Sequence, residues 1–158
     1  MTVDFKNINE FVIPLSDFTL NWRFIDPKFN VLPDHHLKDL KPLGKVASRF
    51  LFDYLKTNDL HSDLPFKSGF FKRINSIEIM ENNANKVKDW LLKSGLDSKN
   101  EVILSWDIDN AMILPFGLLV EYFDDFHYSS SDDLTVFQKG LNWAFLFFHG
   151  DVIYYGTR

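Results

Sequence analysis

The residues best suited to chemistry gather in one short stretch. Glu121, Asp124, Asp125, Asp132 and Asp133 lie within residues 121–133, interleaved with Tyr122, His127 and Tyr128. Carboxylates beside aromatic side chains suit the docking of a basic protein: the charges steer the encounter and the rings supply packing. The stretch also breaks local rules. In a single helix from Pro115 to Phe126, Glu121 and Asp125 stand four apart and oppose each other by roughly 0.2–0.5 kcal/mol. Asp124 and Asp125 then fall in its last turn, where the helix dipole disfavours anions by about 0.3–1 kcal/mol. Local conflicts gathered in one place often mark function, and these point to a partner surface. The alternative is a set of solvated, screened groups with no role.

Other chemistries find less support. Asp107-x-Asp109-Asn110 resembles a fragment of a calcium loop, and Asp132-Asp133 can add oxygens. The pattern lacks the glycine at its sixth position and the glutamate at its twelfth, where Leu118 stands. A small hydrolase using a divalent metal on Asp107, Asp109 and Asp132 is therefore the alternative rather than the leading reading. Ser129, Ser130 and Ser131 lie near His127 and Asp124, but no Gly-x-Ser-x-Gly elbow is present, and a serine run after a helix reads as a turn. His35, His36 and His61 read as loop residues without ligand-spaced partners, and His149 as part of a hairpin turn. The absence of Cys excludes a disulfide framework and any thiolate ligand or nucleophile. No Gly-rich loop leads from a strand into a helix to cradle phosphate. The expectation is no enzyme, no metal and no cofactor.

A chain of 158 residues, 46% hydrophobic, suits one domain over 1–158. Its net charge of −5 is unevenly spread. Residues 1–96 hold 14 basic and 12 acidic side chains, whereas residues 97–158 hold 3 and 10, a balance of −7. That half repels phosphate backbones, so direct nucleic-acid binding is not expected, while a basic protein would be attracted. The first fifteen residues include Asp4 and Glu10 and show no secretion signal. The longest apolar run, Met112 to Val120, falls short of the ~20 residues that span a bilayer. A cytoplasmic protein with no membrane contact is expected.

The elements that position the acidic stretch follow from periodicity. Phe18 to Ile25 alternates loosely and reads as a strand ended by Asp26-Pro27. Pro42 suits a first helical turn, and Leu43, Ala47, Phe50, Leu51 and Tyr54 share one face, predicting an amphipathic helix over 42–56. Residues 57–69 read as a loop and 70–80 as holding a strand. Asn82 or Asn83 caps a helix that buries Ala84, Val87, Trp90 and Leu91 and stops at Gly95. Val102 to Trp106 is a strand, and Asp107 to Asn110 a turn. Leu134 to Phe137, Asn142 to Phe148 and Val152 to Tyr155 read as strands joined by short Gly-containing turns. Trp143, Phe145 and Phe147 face one way, and Ala144, Leu146 and Phe148 the other, so this strand is central. The fold class is α+β: an antiparallel C-terminal meander with helices packed against it.

Three stretches carry a family resemblance. They are Trp22-Arg23-Phe24 with Leu40-Lys41-Pro42-Leu43; Trp106-Asp107-Ile108-Asp109-Asn110 leading into Phe116-Gly117; and Tyr122 through Asp133, followed by Trp143 and the terminal Tyr155-Gly156-Thr157-Arg158. In this layout the chain is similar to small bacterial immunity proteins of polymorphic and contact-dependent growth inhibition toxin systems. His127 departs from the pattern, since Cys or another residue is more usual there. The resemblance implies a cytoplasmic, non-enzymatic inhibitor whose partner is a cognate toxin domain, often a basic nuclease. No catalytic residue carries over. A regulatory domain with a different protein partner remains the third reading.

Overall fold

The structure is a computed structural model and describes residues 2–158. After two short 3-10 turns the chain forms α1 (Trp22–Ile25), β1 (Asn30–Val31), α2 (Asp34–Leu37), β2 (Lys41–Leu43) and α3 (Lys45–Thr57). Then come β3 (Arg73–Glu78), α4 (Ala84–Leu92), β4 (Glu101–Asp107), β5 (Asn110–Pro115), α5 (Phe116–Glu121) and α6 (Phe123–Phe126). The chain closes with β6 (Leu134–Phe137), β7 (Trp143–Phe148) and β8 (Val152–Thr157). All but β1 join a seven-stranded sheet in the order β2-β5-β4-β6-β7-β8-β3, with every pairing antiparallel. The fold is α+β. The meander β6-β7-β8 is present with β7 in its middle, as its two-sided apolar pattern requires.

Strand alternation divides the core in two. Val102 and Leu104 of β4, with Phe145 and Phe147 of β7, pack with α4, α5 and α6 on one face. Ile103, Ala144 and Leu146 pack with α3 and the segment around Leu60, Phe66 and Phe71 on the other. The exposed edge strand β3 carries Arg73 and Glu78, charges that discourage edge-to-edge pairing. Gly156 of β8 lies directly under the Phe71 ring, and any Cβ there would overlap it.

Five expectations need correction, the first being that His35 and His36 lie in α2 rather than in a loop. Phe18 to Ile25 is not a strand: turns lead into α1, where Phe24 is buried and Arg23 points inward. Pro42 does not open a helix but sits in β2 opposite Met112, and α3 begins at Lys45. Pro is tolerated there because β2 is an edge strand. Asn83 precedes α4 without capping it: its side-chain oxygen accepts the Met80 N–H, and its amide donates to the Glu78 carbonyl. Finally, the run from Asn110 begins as strand β5, and the helix after Pro115 breaks at Tyr122 into α5 and α6. Asp124 and Asp125 therefore sit in a separate four-residue turn rather than in the last turn of one long helix, and the dipole conflict expected there does not arise.

Candidate functional site

The expected partner residues divide into two groups, one turned inward and one left on the surface. Arg23 is only 5% exposed. Its guanidinium donates to both Asp132 oxygens, Nη1 to Oδ2 at 2.5 Å and Nη2 to Oδ1 at 3.2 Å. Its positive charge lies over the Tyr128 ring at 4.3 Å and the Trp22 ring at 5.1 Å. Asp132 also accepts the Tyr128 backbone N–H at 2.8 Å. Burial pushes the Asp132 carboxyl up, but the bonds from Arg23 and Tyr128 outweigh it and hold the group below its ordinary value. Asp132 is therefore an internal anchor that ties α1 to the loop after α6, and its charge is already neutralised.

His127 is also internal. Its Nε2–H donates to the Asp132 carbonyl at 3.0 Å, and its ring packs on Phe147. Burial lowers its proton affinity, opposed by the Asp132 carbonyl and by the charges of Asp132, Asp151 and Asp133. Stability should respond. Unfolded His127 takes up a proton near the ordinary value of 6.5 while the folded ring resists, so stability is full above that pH and falls as pH drops toward the lowered folded value. His61 shares this direction. Urea unfolding between pH 7.5 and 5.5 should show declining stability, with a shallower slope in His127→Gln. Equal slopes in both proteins would remove His127 from this account.

Asp133 is half exposed and accepts both the backbone N–H and the ring Nδ1 of His149. It joins the β6 entry to the β7–β8 turn rather than standing free. Asp107 closes the β4–β5 turn, accepting from the Asp109 N–H at 2.8 Å and the Asn110 amide at 3.0 Å. Asp132 is held by Arg23, so the alternative trio Asp107, Asp109 and Asp132 is not drawn together. Among the described residues no group of three or more His, Asp or Glu is placed to hold a metal ion. None of the described helices is long and apolar enough to cross a membrane.

The surface group stands on a face that sequence reasoning missed. Ile25 pairs with Val31, and Asp26 with Asn30, to make a small hairpin of α1 and β1. Ile25, Phe29 and Val31 are 41%, 53% and 51% exposed, three large apolar side chains within seven residues. Phe29 packs against Trp22 at 4.6 Å and Tyr128 at 6.4 Å, continuing the apolar patch onto the predicted stretch. The Asn30 amide donates to Asp125 at 3.0 Å, which fastens the hairpin to α6. The Tyr122 hydroxyl meets His36 Nδ1 at 2.6 Å and links α6 to α2. Partial burial raises the carboxyls of Asp124 and Asp125, with Lys88 opposing at both and Asn30 at Asp125. Glu121 and Asp124 remain exposed. The missed signal was Arg23 itself, a lone cation inside the apolar run Phe18 to Ile25, which demanded an internal carboxylate.

The arrangement is an aromatic and aliphatic patch rimmed by carboxylates, built on short helices braced from beneath by a buried ion pair. It can bind a complementary surface. Compared with family models, with curated proteins and with solved structures, the chain matches none of them.

Proposed function

We propose that the chain is an immunity protein, a non-enzymatic inhibitor that binds a basic bacterial toxin domain through the face formed by α1, β1 and α6. The observation that supports this reading is the exposed cluster of Ile25, Phe29 and Val31 beside Trp22 and Tyr128. Contiguous exposed apolar side chains rimmed by polar groups mark protein interaction sites. The rim selects the partner. Asp26 stands in the hairpin itself and Asp125 accepts the Asn30 amide, so carboxylates border the patch and a cationic surface is favoured, while Glu121 lies toward α4 beside Lys88. A nuclease that grips phosphates with Lys and Arg offers such a surface, and the carboxylates take the place of phosphate. The internal roles of Asp132 and His127, and the pairing of Asp133 with His149 toward the opposite face, narrow the contact set to Tyr128, Asp124 and Asp125 among the residues first suspected, with Tyr122 and Glu121 at its margin.

The test is binding kinetics against a toxin domain encoded beside this chain's gene, which the reading requires. Glu121→Lys with Asp124→Lys should slow association about tenfold at low salt and much less at moderate salt. Phe29→Ala should raise the dissociation rate at least about fivefold, as loss of an aromatic anchor does. Both variants should keep near-native stability, since the three side chains are exposed. Wild-type rates for both would place docking elsewhere. Failure of the wild-type chain to bind the neighbouring toxin would overturn the inhibitor reading, as would metal-dependent hydrolysis lost in Asp107→Asn.

A further inference from the structure

The opposite face of the sheet holds a cavity of about 650 Å³ between the end of α3, the 59–65 loop and strands β4, β6 and β7. Its walls are Leu55, Leu60, Leu146 and Phe148. Its floor carries two hydroxyls side by side, because Ser105 of β4 and Thr135 of β6 are register partners. Each is only 4% exposed. Thr135 bonds His61, but the Ser105 hydroxyl has no hydrogen-bond partner among the described residues. The Ser105 hydroxyl opens on the cavity and is free to meet a ligand there.

The floor has a defined polarity. His61 Nδ1 lies 2.8 Å from the Pro65 carbonyl, which can only accept, so Nδ1 carries the proton. The apolar wall lowers the proton affinity of the ring, so at neutral pH its Nε2 is a bare acceptor. Thr135 therefore gives its one hydroxyl proton to Nε2 at 2.8 Å and faces the cavity as an acceptor. A ligand reaching the floor must present a donor. The mouth has the opposite requirement to an anion site: Asp59, Asp63 and Asp133 line it against Lys56. His149 answers Asp133, and Asp63 accepts the Ser68 N–H, leaving Asp59 without a side-chain partner.

We propose that this cavity binds an amphipathic amine: a flat apolar ring with an N–H or O–H donor for Thr135 and Ser105, and an ammonium group at the carboxylate mouth. The ring lies against Leu60, Leu146 and Phe148. The site is on the other side of the sheet from the α1–β1–α6 face and does not rest on the inhibitor reading.

Tryptamine is a suitable probe, measured by calorimetry with the intact chain at pH 7.5. Indole-3-propionate keeps the ring and donor but reverses the end charge, and should bind at least tenfold more weakly. Phenethylamine keeps the cation but lacks the ring donor, and should bind severalfold more weakly. Ser105→Ala should weaken tryptamine about 2- to 10-fold, the range for one neutral hydrogen bond. Asp59→Asn should weaken it while leaving indole-3-propionate unchanged or improved. Asp59 has φ 52°, a conformation Asn also adopts, so this variant keeps the backbone. No tryptamine binding at millimolar concentration, or equal binding of the amine and the acid, overturns the proposal. Binding unchanged in both variants overturns it equally.

Discussion

Replacing Asp132 by Ala is expected to destabilise the protein by about 3–5 kcal/mol, the usual cost of leaving one member of a buried ion pair alone. Arg23 cannot relocate its charge. It is 5% exposed, its Nε already lacks a partner, and its remaining acceptor is the Phe126 carbonyl at 3.4 Å. The Tyr128 and Trp22 rings keep some attraction for the cation, roughly 0.5–2 kcal/mol per contact, which trims the loss without removing it. Asp132 also holds the Tyr128 N–H, so the loop that positions the Tyr128 ring loosens with it. Urea unfolding at pH 7 measures the effect. Arg23→Met combined with Asp132→Leu should recover much of the stability, because it removes both charges and keeps apolar volume. Acid gives an independent reading. The Asp132 carboxyl is held below its ordinary 3.8, so its contribution is present above that pH and is lost as pH falls through the lowered folded value. If Asp132→Ala unfolds within 1 kcal/mol of the parent, the pair is not a structural anchor and Asp132 returns to the partner-facing set.

That expectation also shows how the sequence misleads about its own acidic stretch. Spacing alone makes Asp132 and Asp133 look like free surface charge. The buried cation that neutralises Asp132 lies 109 positions away, a separation no local rule spans. The segment around Arg23 was itself misread. Phe18 to Ile25 alternates well enough for a strand, but burying Phe24 and aiming Arg23 at Asp132 are tertiary demands that override a weak local pattern. The apolar run from Met112 to Val120 hides two elements because it has no period. Pro115 ends β5 and precedes α5, so the boundary was visible, but the strand before it was not. Tyr122, with φ −116° and ψ 30°, divides the second helix for no reason that propensity predicts; its hydroxyl bond to His36 helps hold it there. The C-terminal meander was legible because its signals agree. β7 is apolar on both faces, and short Gly-containing turns precede and follow it.

The same agreement makes Phe145 the most consequential ring in the core. It lies on the central strand of the meander, fully buried, between Val136 of β6 and Tyr155 of β8. Tyr155 stacks on it at 4.3 Å and Phe116 at 5.9 Å, while Trp90 and Trp143 meet it edge-on at 6.2 and 5.8 Å. These partners come from α4, α5, β7 and β8, so one side chain joins both helical elements to the sheet. Phe145→Ala should cost about 3–5 kcal/mol, the transfer term plus a cavity that rigid aromatic neighbours cannot fill. For a domain of this length that lowers the melting temperature by about 6–20 °C. Phe145→Leu should cost less than Ala, since Leu refills most of the volume and loses chiefly the ring–ring geometry. Thermal unfolding of the two variants separates packing from aromatic stacking. If Phe145→Ala melts within 2 °C of the parent, the ring is not at the junction of helices and sheet. If Leu costs as much as Ala, stacking rather than filled volume holds the junction together.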